Sequence, residues 1–163
     1  MHGMRRKEKA IETIKEMQHI LESVKYITVA MCQDNEPYLV TLSHGYDSKE
    51  HCLFFHCANE GKKVNILKEN AIVWGQALID EGYIQGACDH LYATVQFRGK
   101  VRFLENFEEK KAALENMINK LDENPKEVAK EQLTEKSINR VTIGRIDIEY
   151  MSGKKSENVI ISL

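Results

Sequence analysis

Between Leu91 and Leu104 the chain alternates with a period of two. Tyr92, Thr94, Gln96 and Arg98 fall on one parity, and Ala93, Val95 and Phe97 on the other. A helix scatters such a pattern around its axis, whereas a pleated strand gathers each parity on one face. A strand this long needs a sheet around it. Gly99 falls inside it, as expected of a bulge or tight bend where a small barrel turns a corner.

The same period recurs along the chain. Lys25 to Cys32 is rich in β-branched residues and has no helical stripe, and Gln33-Asp34-Asn35-Glu36-Pro37 reads as a turn. Tyr38 to Tyr46 and Cys52 to Cys57 read as the next strands, with Asp47 to Glu50 between them. Ala71 to Ile79 is a further strand, and Glu81 to His90 a loop. Arg140 to Met151 alternates again, interrupted by Gly144 and closed by Ser152-Gly153-Lys154-Lys155; a short apolar tail runs from Val159 to Leu163.

Helical spacing marks the remainder. Ile11, Ile14, Met17, Leu21 and Val24 make one stripe at three- and four-residue steps. Gly61 to Asn70 reads as a short helix with Val64 and Leu67 inward. Asn106, with Glu109 three residues on, has the pattern of a capping box before Leu114, Met117, Ile118 and Leu121. Asp122 to Pro125 ends that helix, and the polar stretch Lys126 to Asn139 is helical or loosely structured. Strands that mostly follow one another directly favour antiparallel pairing. The expected fold is mainly β: a six-stranded antiparallel β-barrel with peripheral helices, in a single domain over residues 1–163.

Composition narrows the function classes. A formal charge of −2 gives no general attraction to nucleic acid or to an anionic membrane. No apolar run approaches the roughly 20 residues that span a bilayer, and the basic start, Met1 to Lys9, lacks the apolar centre of a secretory signal. Cys32, Cys52, Cys57 and Cys88 match neither a zinc ribbon nor a Cys-x-x-Cys pair. The simplest expectation is a cytoplasmic protein with reduced thiols.

The segment with most chemical content is Leu53 to Asn70: a strand, a short loop, and a helix opening with Gly61-Lys62-Lys63. A helix N-terminus carries unpaired N–H groups and a partial positive charge. Lysines are disfavoured there unless an anion is bound between them and the helix, which would make a phosphate cradle. The bland alternative is that both lysines are simply solvated.

These segments together resemble the FMN-binding split-barrel superfamily related to pyridoxamine 5′-phosphate oxidase, in the branch that includes nitroimidazole-resistance proteins. The resemblance runs from Met4-Arg5-Arg6-Lys7 through Pro37-Tyr38-Leu39-Val40-Thr41-Leu42 and Leu53-Phe54-Phe55-His56-Cys57-Ala58-Asn59-Glu60-Gly61-Lys62-Lys63. It continues through Leu67, Asn70, the Tyr92-x-Thr94-Val95-x-x-x-Gly99-x-Val101 strand and Ser152-Gly153-Lys154.

It implies a split β-barrel homodimer with FMN near the subunit interface. Backbone groups of Leu39, Val40, Thr41, Leu42 and Ser43 would meet the flavin ring, Lys62 and Lys63 the phosphate, and His56 and Cys57 the ribityl and phosphate region; Phe55 is a further cofactor-binding position. Thr94 would approach the cofactor from its own strand. Thr41 stands where the branch has proline, and so keeps an N–H. No counterpart of the oxidase's substrate-binding arginine and histidine is evident near the C-terminus. The activity implied is therefore a flavin-dependent oxidoreductase acting on an unassigned small molecule, with no catalytic residue named.

Other patterns compete with these. His51-Cys52-x-x-x-His56-Cys57 invites a metal, but alternate residues of a strand face opposite ways, so the four groups cannot converge on a tetrahedral ion. His44, His56 and His90 are candidate haem ligands in a non-catalytic flavin-, haem- or deazaflavin-binding barrel. For His2, His19 and His51 a polar surface role is expected. Cys88-Asp89-His90 reads as loop chemistry, and the resemblance implies that this loop lies near the flavin edge; Trp74 and Tyr92 read as core or interface aromatics.

Overall fold

The structure, a computed structural model, describes residues 4–161. His2 and the last two residues of the apolar tail lie outside the described residues.

One turn of 3-10 helix, Lys7–Lys9, leads into a two-residue strand, β1 (Ala10–Ile11). Helix α1 (Ile14–Ser23) begins after Thr13, whose hydroxyl accepts the Glu16 amide N–H and donates to the Glu16 carboxylate. That cap satisfies an N–H the first turn leaves free. It also puts Ile11 outside the helix, in β1 rather than on the helical stripe. Strands β2 (Tyr26–Gln33) and β3 (Glu36–Ser43) form a hairpin through Asp34 and Asn35, both at positive φ (51° and 64°). Such a two-residue turn matches the twist of its strands, so β3 starts two residues earlier than expected.

The expected strand from Tyr38 to Tyr46 divides at His44. β3 stays with β2, and the short β4 (Gly45–Asp47) pairs instead with β5 (Cys52–Cys57). His44 is buried at the division and bound to the Leu21 carbonyl of α1. Helix α2 (Lys62–Glu69) follows, then the long hairpin of β6 (Ile72–Ile84) and β7 (Asp89–Phe103). The segment Glu81 to His90, expected as a loop, is mostly paired in that hairpin; its turn occupies only 85–88. Glu81 is extruded where the register steps from Asp80 to Gly82, which hides the alternation in the sequence.

Asn106 caps α3 (Phe107–Leu121), accepting the N–H groups of Glu108 and Glu109, while the Glu109 carboxylate meets Arg102 at 3.3 Å rather than turning back to the cap. Lys126 to Asn139 falls largely in two short helices, α4 (Pro125–Gln132) and α5 (Glu135–Arg140). Pro125 opens α4, where its missing N–H does no harm. Strand β8 (Thr142–Lys155) continues through Ser152 to Lys155, expected as its end, because those residues pair with β7 on one side and Gly153 and Lys154 also with β1 on the other.

The sheet order is β3-β2-β6-β7-β8-β5-β4, with β1 on β8, and every pairing is antiparallel. Among the described residues eight strands form, against six expected; the additional two are the short β1 and β4. β3 and β4 are the free edges, so the barrel is split rather than closed. Its inner face buries Phe55, Phe97, Leu53, Ile27, Val29 and Ile146 with Ile20 and Leu21 of α1. A smaller cluster of Cys52, Phe54, Met117 and Ile143 lies under α3. Among the described residues no helix is long and apolar enough to cross a membrane.

Candidate functional site

The five backbone candidates on β3 are not equivalent. In a two-residue hairpin the pair closing the turn, Gln33 and Glu36, is hydrogen-bonded, and antiparallel pairs then alternate. Tyr38, Val40 and Leu42 therefore bond to β2. Leu39, Thr41 and Ser43 turn their N–H and C=O groups outward, to the free edge of the sheet. Pro37 shares their parity, where its lack of an N–H removes no ladder bond. On the other strand Cys32 obeys the same rule: its outward carbonyl accepts the Asn70 side chain at 2.8 Å. The side chains of Val40 and Leu42 pack toward the core, while those of Leu39 and Thr41 are exposed.

The start of α2 lies beside this edge. Gly61 precedes the helix at φ 136°, no side chain caps the first turn, and no acidic residue stands in it. The Lys62 ammonium sits 4.7 Å from the centre of the Tyr38 ring and 3.7 Å from the Glu36 carboxylate, both on β3. The ion pair is exposed, of the kind that contributes about 0–1 kcal/mol and yields readily to a better anion. Lys63 lies 5.5 Å above the Phe55 ring. Phe55 itself is buried in the core, so it supports the lysine rather than offering a ligand surface. His56 is exposed, and Cys57 is half-buried against the core. Burial pushes the Cys57 thiol up, against the opposing pull of Lys63, so it is a neutral thiol at pH 7. The structure thus gathers the edge of β3, Phe55, Lys62 and Lys63 at one mouth of the split barrel.

Thr94 stands apart from this group. Three strand spacings separate β7 from β3, about 14 Å. Its hydroxyl donates to the Ala77 carbonyl at 2.8 Å, and its side chain helps line a cavity of about 360 Å³ on the outer face of the sheet. Trp74, Gln96, Tyr150, Ser152 and Lys154 line the same cavity, with Met4 of the N-terminal segment at its side. A second cavity of about 200 Å³ shares Trp74 and Gln96 and reaches Leu39 on β3. No site role was legible in the sequence for Gln96, Tyr150, Ser152 or Lys154, although the parity that carries Thr94 also carries Gln96. Trp74, expected in the core or an interface, is 41% exposed on this outer face.

The remaining chemical candidates are dispersed. His44 is sealed in the interior. His90 is bound to Asp80 at 2.9 Å on the exposed β6–β7 arm, where the Gly82 N–H and then His90 hold the Asp80 carboxyl below its ordinary value. Cys88 is in the exposed turn of that arm, and burial pushes the Cys52 thiol up to about 11. Among the described residues no three His, Cys, Asp or Glu side chains are placed to share a metal ion.

The open antiparallel barrel with its free strand edges is a split barrel. The family model described as pyridoxamine 5′-phosphate oxidase matches residues 13–155, and the chain belongs to this family. Among solved structures, the chain is similar to a Bacteroides thetaiotaomicron protein named for 5-nitroimidazole antibiotic resistance. The identity is 23% and the TM-score 0.77, over 89% of this chain and 85% of that one. The flavocytochrome Anf3 of Azotobacter vinelandii aligns with TM-score 0.81 at 16% identity, over 96% of this chain and 73% of its own. An FAD and heme binding protein of Mycobacterium smegmatis aligns with TM-score 0.77 at 16% identity, over 95% and 77%. Comparison with curated proteins returned no match.

Proposed function

We propose that this chain is a single-domain, cytoplasmic FMN-binding protein that works as a homodimer and serves as a flavin-dependent oxidoreductase on a small molecule. The observation that carries the reading is the start of α2, with Lys62 and Lys63, set against the open edge of β3. A phosphate fits there: it would meet the free first-turn N–H groups, displace Glu36 from Lys62, and relieve two cations placed at the positive end of a helix. From that anchor the flavin ring lies along β3, where Leu39, Thr41 and Ser43 present outward backbone groups. Val40 and Leu42 hold that strand in place by packing inward. His56 and Cys57 flank the ribityl chain.

When bound, FMN would supply reversible electron and hydride transfer. The contribution of this chain is to fix the ring and to aim the Thr41 N–H, which a proline would lack, at the negative charge of the reduced ring. Solvent provides the proton. Within one chain Thr94 stands three strands from the β3 edge, and this supports a site completed by Thr94 of a second copy. The relatives described as flavocytochrome or as FAD and heme binding proteins support a flavin in this class of fold.

The test is the cofactor that co-purifies. Absorption and mass spectrometry should find FMN; a colourless protein that does not quench added FMN, or a Soret band, would overturn the assignment. Replacing Lys62 and Lys63 with Ala should weaken FMN by at least tenfold per lysine, from about 1.5–3 kcal/mol per charged contact. Riboflavin affinity should hardly change, and equal weakening of both ligands would remove the phosphate from α2.

A further inference from the structure

The 360 Å³ cavity on the outer face has its own chemistry. Trp74 and Tyr150 meet edge to face, with ring centres 6.1 Å apart and planes at 66°, and form an aromatic wall. The Gln96 amide and the Ser152 hydroxyl also line it and make no hydrogen bond with the protein among the described residues. At one end stands Lys154, half-buried and opposite Thr94 in the ladder.

Cations nearby are neutralised by the protein itself. Lys155 reaches Glu16 at 3.2 Å, and Arg98 is paired with Glu149. Among the described residues no carboxylate lies within 4 Å of the Lys154 ammonium, whose neighbour is the Tyr92 ring at 5.8 Å. A half-buried lysine with no carboxylate partner among the described residues, beside an aromatic slot with free amide and hydroxyl groups, is complementary to a flat ring carrying a negative charge. Its volume lies in the range of small-molecule sites.

We propose that this cavity binds an aromatic carboxylate. The ring packs against Trp74 and Tyr150, the carboxylate pairs with Lys154, and Ser152 and Gln96 complete its hydrogen bonds. The smaller cavity continues this slot to Leu39 on the edge strand, which places such a molecule on the same face as the ring edge assigned to the flavin. The inference thus gives the proposed oxidoreductase a substrate class; it rests on that reading for the redox role but not for binding.

Trp74 is the single tryptophan of the chain, so its emission reports the cavity directly. Purified protein is titrated with benzoate and with benzamide, following Trp74 emission and the heat of binding, with and without saturating FMN. Benzoate should bind saturably, benzamide at least tenfold more weakly, and Lys154→Gln should cut benzoate affinity by at least tenfold while leaving FMN affinity intact. Absence of saturable benzoate binding, equal affinity for the amide, or an unchanged Lys154→Gln would each overturn the proposal. So would competition between FMN and benzoate, which would give the cavity to the cofactor. If benzoate behaves as expected in a protein that does not bind FMN, the flavin reading falls and the carboxylate site stands.

Discussion

His44 and Lys120 converge on one backbone oxygen. The His44 Nε2 lies 2.9 Å and the Lys120 Nζ 2.8 Å from the Leu21 carbonyl, and the two nitrogens are 2.5 Å apart. The carbonyl accepts from the Lys120 ammonium and from the His44 Nε2–H, and the charge of that ammonium disfavours a second proton on the imidazole. The carbonyl belongs to the last turn of α1, where a cation is favoured. Burial nonetheless dominates: it lowers Lys120 to about 7, against the opposing charge of Glu22, and it lowers His44 to about 4, helped by Lys120. Between about pH 7 and 10.5 the unfolded chain holds the Lys120 proton and the folded chain does not, so stability should rise with pH across that window. Between pH 6.5 and 4 the same argument for His44 makes stability fall on acidification, by up to about 3 kcal/mol. Thermal melting against pH should show both slopes, and Lys120→Met should abolish the alkaline one. At this scale Gly61-Lys62-Lys63 was legible because neighbours in sequence make the helix start. The His44–Lys120 contact was not, since 76 positions separate the two and neither stands out locally.

Among the elements, the strands are set by alternation and bent by glycine. A β-carbon at Gly75 would run into the Phe97 ring, and one at Gly144 into the Phe55 ring. Both aromatics are buried where the sheet curls over them. Gly75→Ala and Gly144→Ala should each destabilise the protein by about 1–3 kcal/mol through overpacking. Denaturant midpoints measure this, with an unchanged slope expected if the fold survives. The long strands were readable because one face of each is buried. The arm beyond Asp80 was not, because the extruded Glu81 breaks the period and the arm has no core to bury. The break at His44 was hidden for the opposite reason: a buried polar residue, tied to a helix remote in sequence, interrupts an otherwise continuous apolar run.

For the whole molecule, the outer face carries Tyr26, Leu39, Trp74 and Leu78, which are 60%, 63%, 41% and 49% exposed. Tyr83 continues the same face onto the arm, because the extruded Glu81 restores its parity. Burial of a comparable face on a second copy would remove this apolar surface from water and bring a second Thr94 toward the β3 edge. Sedimentation should give twice the 18.8 kDa chain mass. The double substitution Leu39→Glu and Leu78→Glu should give folded monomers, with unchanged far-ultraviolet dichroism, that bind FMN at least tenfold more weakly. A wild-type monomer that retains full FMN affinity would refute the two-copy site. The class of fold was legible from the order of strands, whereas the outer-face cavity was not, because its wall is assembled from β6, β7 and β8.

The outward parity of β3 has one more consequence. An edge that can hold a ligand by its backbone can also template another extended chain, and natural edges are commonly blunted with charge or proline. Here Glu36 and Pro37 guard only the beginning of the strand. From Leu39 to Ser43 the edge is open, so a ligand loaded along β3 would act as a chaperone, shielding a stretch that could otherwise template another chain.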